Sequence, residues 1–289
     1  MKGIILAAGR GTRLYPMTLP VAKPLLPVYD KPMLYYSLSL LLEAGIAEIL
    51  VIVPPGDRAP FKALLGDGGE FGAQIRYIEQ PVQRGIADAF LLGADFIGDD
   101  SVCLCLGDNL FYGYTFSETF KEAMQFGRGA AIFGRWVEDP RPFGVVELDK
   151  NGRAVSIEEK PAHPKSNYIV PGLYLYDNSV VGIAKEIRPS ARGELEITSV
   201  NNVYLERNEL QVFRLGRDVH WFDTGNAASM LSAATAVKIE QEGTGSLIGS
   251  PHAAAYRAGL CDKKTLRRVG KELSMTQYGQ YLLALAEKQ

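Results

Sequence analysis

Short apolar runs alternate with segments of helical period through the first half of the chain. KGIIL (2–6), EILVIV (48–53), QIRYIEQ (74–80), SVCLCLGD (101–108) and AAIFGRWV (130–137) read as strands. EILVIV is apolar at every position after its glutamate, as a strand covered on both faces must be. Between these runs, Leu34, Leu38, Leu41 and Leu42 form a helical stripe that Gly45 closes, and helical patterns recur around 57–65, 86–96 and 116–126. Such alternation predicts an α/β fold: a Rossmann-like, mostly parallel mixed sheet flanked by helices.

The middle of the chain changes character. GVVELDKNGRAVSIEEKP (144–161) is two alternating runs joined through Asn151-Gly152, which predicts a β-hairpin. YIVPGLYLYD (168–177) and LQVFRLG (210–216) add strands. From 227 onward the pattern is helical, in ASMLSAATAVKIEQE and GQYLLALAE, with the basic stretch CDKKTLRRVGK between them. The chain shows no internal repeat, low-complexity tract or linker. The expected organisation is an α/β domain over 1–226 and a helical C-terminal extension over 227–289.

With 289 residues, 47% hydrophobic and 22% charged, the chain has the composition of a globular protein with a sizeable core. Its formal net charge of −2 speaks against a nucleic-acid partner, so any basic site must be local. The longest apolar runs are too short to span a bilayer, and the N-terminus lacks a signal-peptide layout, so a cytoplasmic location is expected. Cys103 and Cys105, two apart, share one strand face and read as small buried hydrophobes. His163, His220 and His252 are scattered, and no zinc-type spacing is present.

GIILAAGRGTRLYP (3–16) raises the question of chemistry. A dinucleotide fingerprint would need a third glycine where Leu14 stands, and an immediate helix where Pro16 and Pro20 intervene. A Walker loop would need Gly-Lys-Ser/Thr, and Leu14 and Tyr15 follow instead. What remains is a glycine turn with exposed N–H groups, followed by Arg13 and by Lys23, which the flanking Pro20 and Pro24 keep off a helix. Amides and cations of this kind can cradle phosphate. A purely structural tight turn with a solvated lysine is the alternative.

LAAGRGTRLYPMT, AKPLLPVYDKPMLYY, LGDNLFYG, EEKP, SARGELEIT and WFDTG occur in that order. Together they resemble the sugar nucleotidylyltransferase family, from residue 1 to about 285, and most closely its long-form members that use dTTP and glucose 1-phosphate. The resemblance implies Mg²⁺-dependent transfer from dTTP to α-D-glucose 1-phosphate, giving dTDP-glucose and diphosphate, as a first step toward dTDP-deoxysugars such as dTDP-rhamnose. It implies catalytic roles for Arg13, Lys23 and Lys160, and Mg²⁺ ligation by Asp108 and Asp223. Nucleotide binding falls to Leu6, Ala8, Gly9, Gly11, Thr12, Arg13, Gln80, Pro81, Gly85 and Asp108. Sugar-phosphate binding falls to Asn109, Phe143, Gly144, Glu159, Lys160, Val170 and Tyr174.

The residue types are compatible with these implied roles, although Asp108 taken alone reads more simply as a turn or helix N-cap aspartate. Asp108 and Asp223 each follow an apolar run, where open α/β sheets bind ligands. Alternation along the strand groups Glu159 with Val155 and Ile157 on the apolar face, leaving Glu158 to solvent. A primary amide at Gln80 offers a donor and an acceptor to a pyrimidine edge. Glu194 and Glu196 read as architectural or sugar-side. The long form further implies a homotetramer whose regulatory nucleotide site would include Gly113, Gly216, Arg217 and Arg257. Departures from the family pattern stand at Phe143 (usually Tyr), Pro171 (usually Thr), Arg84 (usually Asp) and Tyr114 (near a usual His). Two alternatives stay open at this point: a uridylyltransferase using the same sugar phosphate, and a catalytically silent nucleotide-sugar sensor.

Overall fold

Parallel pairing begins with the first strand. In the computed structural model, which describes residues 1–287, Lys2–Leu6 runs parallel to Val102–Leu106, with Lys2 opposite Val102 and Leu6 opposite Leu106. Ile4, Ile5, Val102, Cys103 and Leu104 are fully buried, so both faces of this pair are covered, as the unbroken apolar runs require. The last two residues of the 227–289 segment lie outside the described residues.

These strands belong to the first of two units into which the chain divides, made of 1–6, 80–106 and 112–221. On the far side of Val102–Leu106 lies antiparallel Leu173–Tyr176, followed by Ala130–Trp136. Ala130–Trp136 also takes Leu210–Arg214 in parallel and Tyr168–Ile169 antiparallel, and the latter leads to Gly144–Leu148 and Ala154–Glu159. The result is the expected mixed sheet, carrying helices Phe116–Ala123, Val180–Glu186 and Ile197–Glu206 in the same unit. Tyr176 anchors this core: it meets Phe90 edge-on at 5.3 Å and donates its hydroxyl to Asn201 Oδ1 at 2.6 Å.

Two local expectations change. The 168–177 run is interrupted at Val170-Pro171-Gly172, because Pro171 has no N–H to continue a ladder; Leu106 N–H bonds Gly172 O instead. The 144–161 hairpin forms, but its turn spans 149–153, with Asp149 Oδ1 accepting from the N–H groups of Asn151 and Arg153 at 2.8 Å each. A register shift between Ala154 and Ser156 breaks the alternation, so Val155 is exposed while Ile157 is buried.

The second unit comprises 7–79, 107–111 and 222–289. Residues after 226 therefore group with 7–79 and 107–111 in this division. Glu48–Val53 and Gln74–Glu79 form a parallel pair. Helix Leu34–Glu43 was expected to show one apolar stripe, yet Tyr36, Ser37, Ser39 and Leu40 are buried along with Leu34, Leu38, Leu41 and Leu42. The reason is that helix Pro251–Arg257 packs against it. Three of the C-terminal helices begin with side-chain caps: Asn226 for Ala227–Thr244, Ser250 for Pro251–Arg257, and Asp262 for Lys263–Glu272. Ala253, Leu266, Val269, Leu282 and Ala286 form a core shared with helix Gln277–Glu287.

His252 enters that core neutral. It is 3% exposed, its Nδ1 lies 2.8 Å from the Tyr278 hydroxyl, and burial pushes its pKa down to about 4 despite nearby Glu70. In the unfolded chain the imidazole titrates near its usual 6.5. The unfolded state therefore binds the extra proton between these values, and stability falls on acidification from about pH 6.5 to 4, by roughly 3 kcal/mol. Urea unfolding across that window should give a shallower loss for His252→Gln than for the native chain. Parallel curves would remove His252 from this account.

Candidate active site

The glycine turn is built in the second unit. Gly11 takes a left-handed conformation (φ 63°) and caps a short 3₁₀ turn, Thr12–Leu14. A side chain at Gly11 would come within 2.9 Å of Lys23 Cβ and 3.0 Å of Thr18 Cγ2, so only glycine fits. Ala7 N–H bonds Ile52 O and Leu14 N–H bonds Gly11 O. Between them, the backbone N–H groups of Gly9 to Arg13 find no acceptor among the described residues. Consecutive free donors beside an exposed arginine make an anion cradle.

Lys23 was expected off any helix and instead opens a short second 3₁₀ turn, Lys23–Leu25; Pro24 is tolerated because a first-turn N–H has no partner to lose. Its side chain is buried, and Nζ contacts Asp108 Oδ2 at 2.5 Å. Asp108 Oδ1 accepts from Asn109 Nδ2 at 2.9 Å, so the carboxylate is held at both oxygens. Asn109, expected on the sugar phosphate, thus also orients Asp108. Thr224 bonds the Asp108 carbonyl twice, through N–H at 3.1 Å and Oγ1 at 2.8 Å, which ties the segment carrying Asp223 to the one carrying Asp108. Burial, and then the charge of Asp108, raise the Asp223 pKa against the opposing pull of Lys23 and Arg13. Arg13 lies close by, since a Cβ on Gly225 would be 2.5 Å from its Nη2.

Two mutually repelling carboxylates suit a divalent cation. Among the described residues no group of three acidic, histidine or cysteine side chains could hold a metal unaided. A hard ion bound by one or two carboxylates and completed by phosphate oxygens and water matches that donor set.

The first unit carries the other expected residues. Leu6 ends the first strand. Gln80 is buried, with Pro81 after it, and Gly85 (φ 103°) packs against the Leu195 backbone, where a Cβ would fall 2.5 Å from Leu195 O. Gly144 is opposite Glu159 in the ladder, Val170 N–H bonds Gly144 O at 2.8 Å, and Lys160 N–H bonds Phe143 O at 3.0 Å. Lys160 holds a left-handed backbone (φ 44°), a conformation that costs a non-glycine residue about 1–3 kcal/mol and clusters at functional sites. Phe143 meets Trp221 edge-on at 5.4 Å. Tyr174 is buried, its ring stacked near Tyr176 at 6.3 Å.

Glu159 is well partnered. Its Oε2 accepts from Thr198 Oγ1 at 2.6 Å and its Oε1 lies 3.2 Å from Arg192 Nη2. Arg192 also pairs with Glu196 at 2.8 Å and Glu194 at 3.4 Å. The sequence reading gave Arg192 no role; the alternating charges of ARGELE were the available signal. Glu158, by contrast, pairs with exposed Lys165, the solvated strand end expected of it.

The residues expected at a regulatory site fall in both units. Gly113 and Gly216 pack around Asp218, which bonds Thr115 in the first unit. Arg217 and Arg257 are exposed, and Arg257 of the second unit bonds the Tyr281 hydroxyl at 2.6 Å.

Comparison with known proteins follows this pattern. Residues 2–240 match the family described as nucleotidyl transferase. A glucose-1-phosphate thymidylyltransferase of Neisseria meningitidis is 52% identical over 288 residues, covering both chains completely. One of Mycobacterium tuberculosis is 49% identical over 288 residues with the same coverage. Among solved structures, a Bacillus anthracis protein assigned as a glucose-1-phosphate thymidylyltransferase, in complex with a sucrose, is 41% identical. It superimposes with a TM-score of 0.76 over 82% of this chain and 94% of its own. A UDP-glucose pyrophosphorylase complexed with UDP-glucose shares the fold, with a TM-score of 0.73 at 23% identity over 83% of this chain and 98% of its own.

Proposed function

The chain belongs to the nucleotidyl transferase family, and we propose that it transfers the thymidylyl group of dTTP to α-D-glucose 1-phosphate, releasing diphosphate and dTDP-glucose. The observation that carries this reading is the convergence of Arg13, Lys23, Asp108 and Asp223 beside a run of unpartnered backbone donors.

The nucleophile is a phosphate monoester, largely dianionic near neutral pH because its second pKa is about 6. It needs no general base, in keeping with a centre that contains no histidine. Charge and alignment remain for the protein to supply. The N–H groups of Gly9 to Thr12, with Leu6 and Ala8 flanking the turn, take the triphosphate. Arg13 and Lys23 balance charge that builds on the departing diphosphate. Asp108 and Asp223 hold Mg²⁺, which when bound neutralises phosphate oxygens and polarises the α-phosphate. Gln80, Pro81 and the Gly85 backbone read the base. Glu159, oriented by Thr198 and Arg192, accepts from sugar hydroxyls. Lys160 takes the sugar phosphate, and Asn109, Phe143, Gly144, Val170 and Tyr174 complete the sugar contacts.

No helix among the described residues is long and apolar enough to cross a membrane. The reading places the enzyme in the cytoplasm with its phosphorylated substrates, at the head of a dTDP-deoxysugar route such as that to dTDP-rhamnose. The helical segment after 226 serves assembly into a homotetramer. Gly113, Gly216, Arg217 and Arg257 belong to its regulatory nucleotide site.

A nucleotide panel tests the assignment. With glucose 1-phosphate and Mg²⁺, diphosphate release should be fastest with dTTP among dTTP, UTP, dCTP, GTP and ATP. A clear preference for UTP would turn the enzyme into a uridylyltransferase, and silence with every nucleotide would leave only a sensor. Phe143 tests the sugar. Its ring is fixed against Trp221, so Phe143→Tyr should change kcat/KM for glucose 1-phosphate by less than about tenfold, the scale of one neutral hydrogen bond. A native preference for galactose, glucosamine or N-acetylglucosamine 1-phosphate, turned toward glucose by that substitution, would contradict the sugar assignment.

A further inference from the structure

Asp88 is almost wholly buried, at 1% exposure, yet it is no part of the machinery above. It opens the short helix Asp88–Leu92. Its Oδ2 accepts from Gln80 Nε2 at 2.9 Å and its Oδ1 from Arg84 Nη2 at 2.7 Å. Gln80 is itself 3% exposed, whereas the Arg84 side chain is about half exposed. A buried carboxylate needs such partners, and this one spends one oxygen on an ion pair and the other on the base-reading amide.

A primary amide has two ends of similar shape and opposite polarity. Left alone, the Gln80 side chain can present either end. An acceptor-only carboxylate at Oδ2 removes that choice, because the flipped amide would set its carbonyl against a carboxylate oxygen. Nε2 is therefore committed to Asp88 and Oε1 is turned away from it. An outward carbonyl oxygen accepts hydrogen bonds. The N3–H of thymine or uracil offers one, while cytosine has an unprotonated acceptor at N3.

We propose that Asp88, ion-paired with Arg84, is a positioning residue that fixes the Gln80 amide with Oε1 outward and thereby selects pyrimidines bearing an N3–H. The proposal rests on the base-reading role given to Gln80. Arg84 is one of the departures from the family pattern, and here it is the counter-charge of the carboxylate that holds the amide.

Asp88→Asn is the direct variant, since an asparagine can face Gln80 with either its N–H or its carbonyl and so permits the flip. Initial rates should show a higher KM for dTTP and a dTTP-to-dCTP ratio of kcat/KM that narrows by about tenfold, the scale of one hydrogen bond. KM for glucose 1-phosphate should stay unchanged, which a general loosening of the fold would not give. Gln80→Ala is run beside it. If Gln80→Ala raises KM for dTTP and Asp88→Asn leaves the ratio intact, the positioning role is wrong and base reading stands. If Gln80→Ala leaves nucleotide use unaltered, base reading falls and the proposal with it. Should Asp88→Asn fail to fold, the native enzyme decides: N3-methyl-dTTP should compete at least about tenfold more weakly than dTTP, and equal competition would overturn the proposal.

Discussion

Asp108→Asn and Asp223→Asn should each lower turnover by at least ~10², as loss of an electrostatic group acting in the transition state usually does. Their effects on stability should differ. Asp108 is the counter-charge of Lys23, whose side chain is only 6% exposed, so Asp108→Asn leaves a buried ammonium facing an amide and lowers Tm. Asp223 has a raised pKa, from burial first and the charge of Asp108 second. A carboxyl raised in the folded state stabilises the fold when protonated, and that contribution is lost as pH rises through its folded pKa. Holding Asp223 ionised there costs stability, so Asp223→Asn should leave metal-free stability equal or higher. Added Mg²⁺ should raise Tm of the native chain, because a ligand that binds only the folded state stabilises it, and raise it less in either variant. Near-native turnover in either variant at saturating Mg²⁺ would mean that the wrong ligand has been named.

This pairing shows where sequence reasoning reaches and where it stops. The strands 2–6, 48–53 and 102–106 were legible because a strand buried on both faces must be continuously apolar, and 74–79 because Ile75 and Tyr77 alternate with polar residues on a half-buried strand. The burial of Tyr36, Ser39 and Leu40 was not, because the helix that carries them packs against helix Pro251–Arg257 and Tyr36 also meets Gly249, all about two hundred positions away. The carboxylates, the cations and the glycine turn were visible as motifs. That Lys23 is held by Asp108, and Asp108 by Asn109, is a fact of three dimensions with no local signature. Arg192 and Asp88 have partners within eight residues, at Glu194 and Glu196 and at Arg84 and Gln80, but charge spacing alone does not announce that Asp88 is buried or that Arg192 reaches Glu159. At Val155 a single bulge overrode period-two alternation, and the strand pattern had no means of announcing it.

The two lysines should separate kinetically, and this is the second large effect. Lys23→Ala removes a buried cation from between the glycine turn and Asp108, and leaves Asp108 and Asp223 with less positive charge to offset their repulsion. It should lower kcat and raise KM for dTTP. Lys160 belongs to the other unit, at 45% side-chain exposure, loosely beside Glu159 at 3.7 Å. Lys160→Ala should chiefly raise KM for glucose 1-phosphate. A charge-assisted contact is worth roughly 1.5–3 kcal/mol, so each variant should lose about tenfold or more in kcat/KM for its own substrate. Identical profiles for the two variants would contradict the division of labour.

The central claim is that a sugar-phosphate oxygen attacks the α-phosphorus of dTTP. Its most direct test follows label from dTTP carrying radioactive phosphorus at either the α or the γ position, incubated with glucose 1-phosphate and Mg²⁺. The account predicts that α label appears in dTDP-glucose and γ label only in diphosphate, and that both transfers fall together in Asp223→Asn. Label from the γ position in a sugar product, or no movement of α label into the sugar nucleotide, would contradict it.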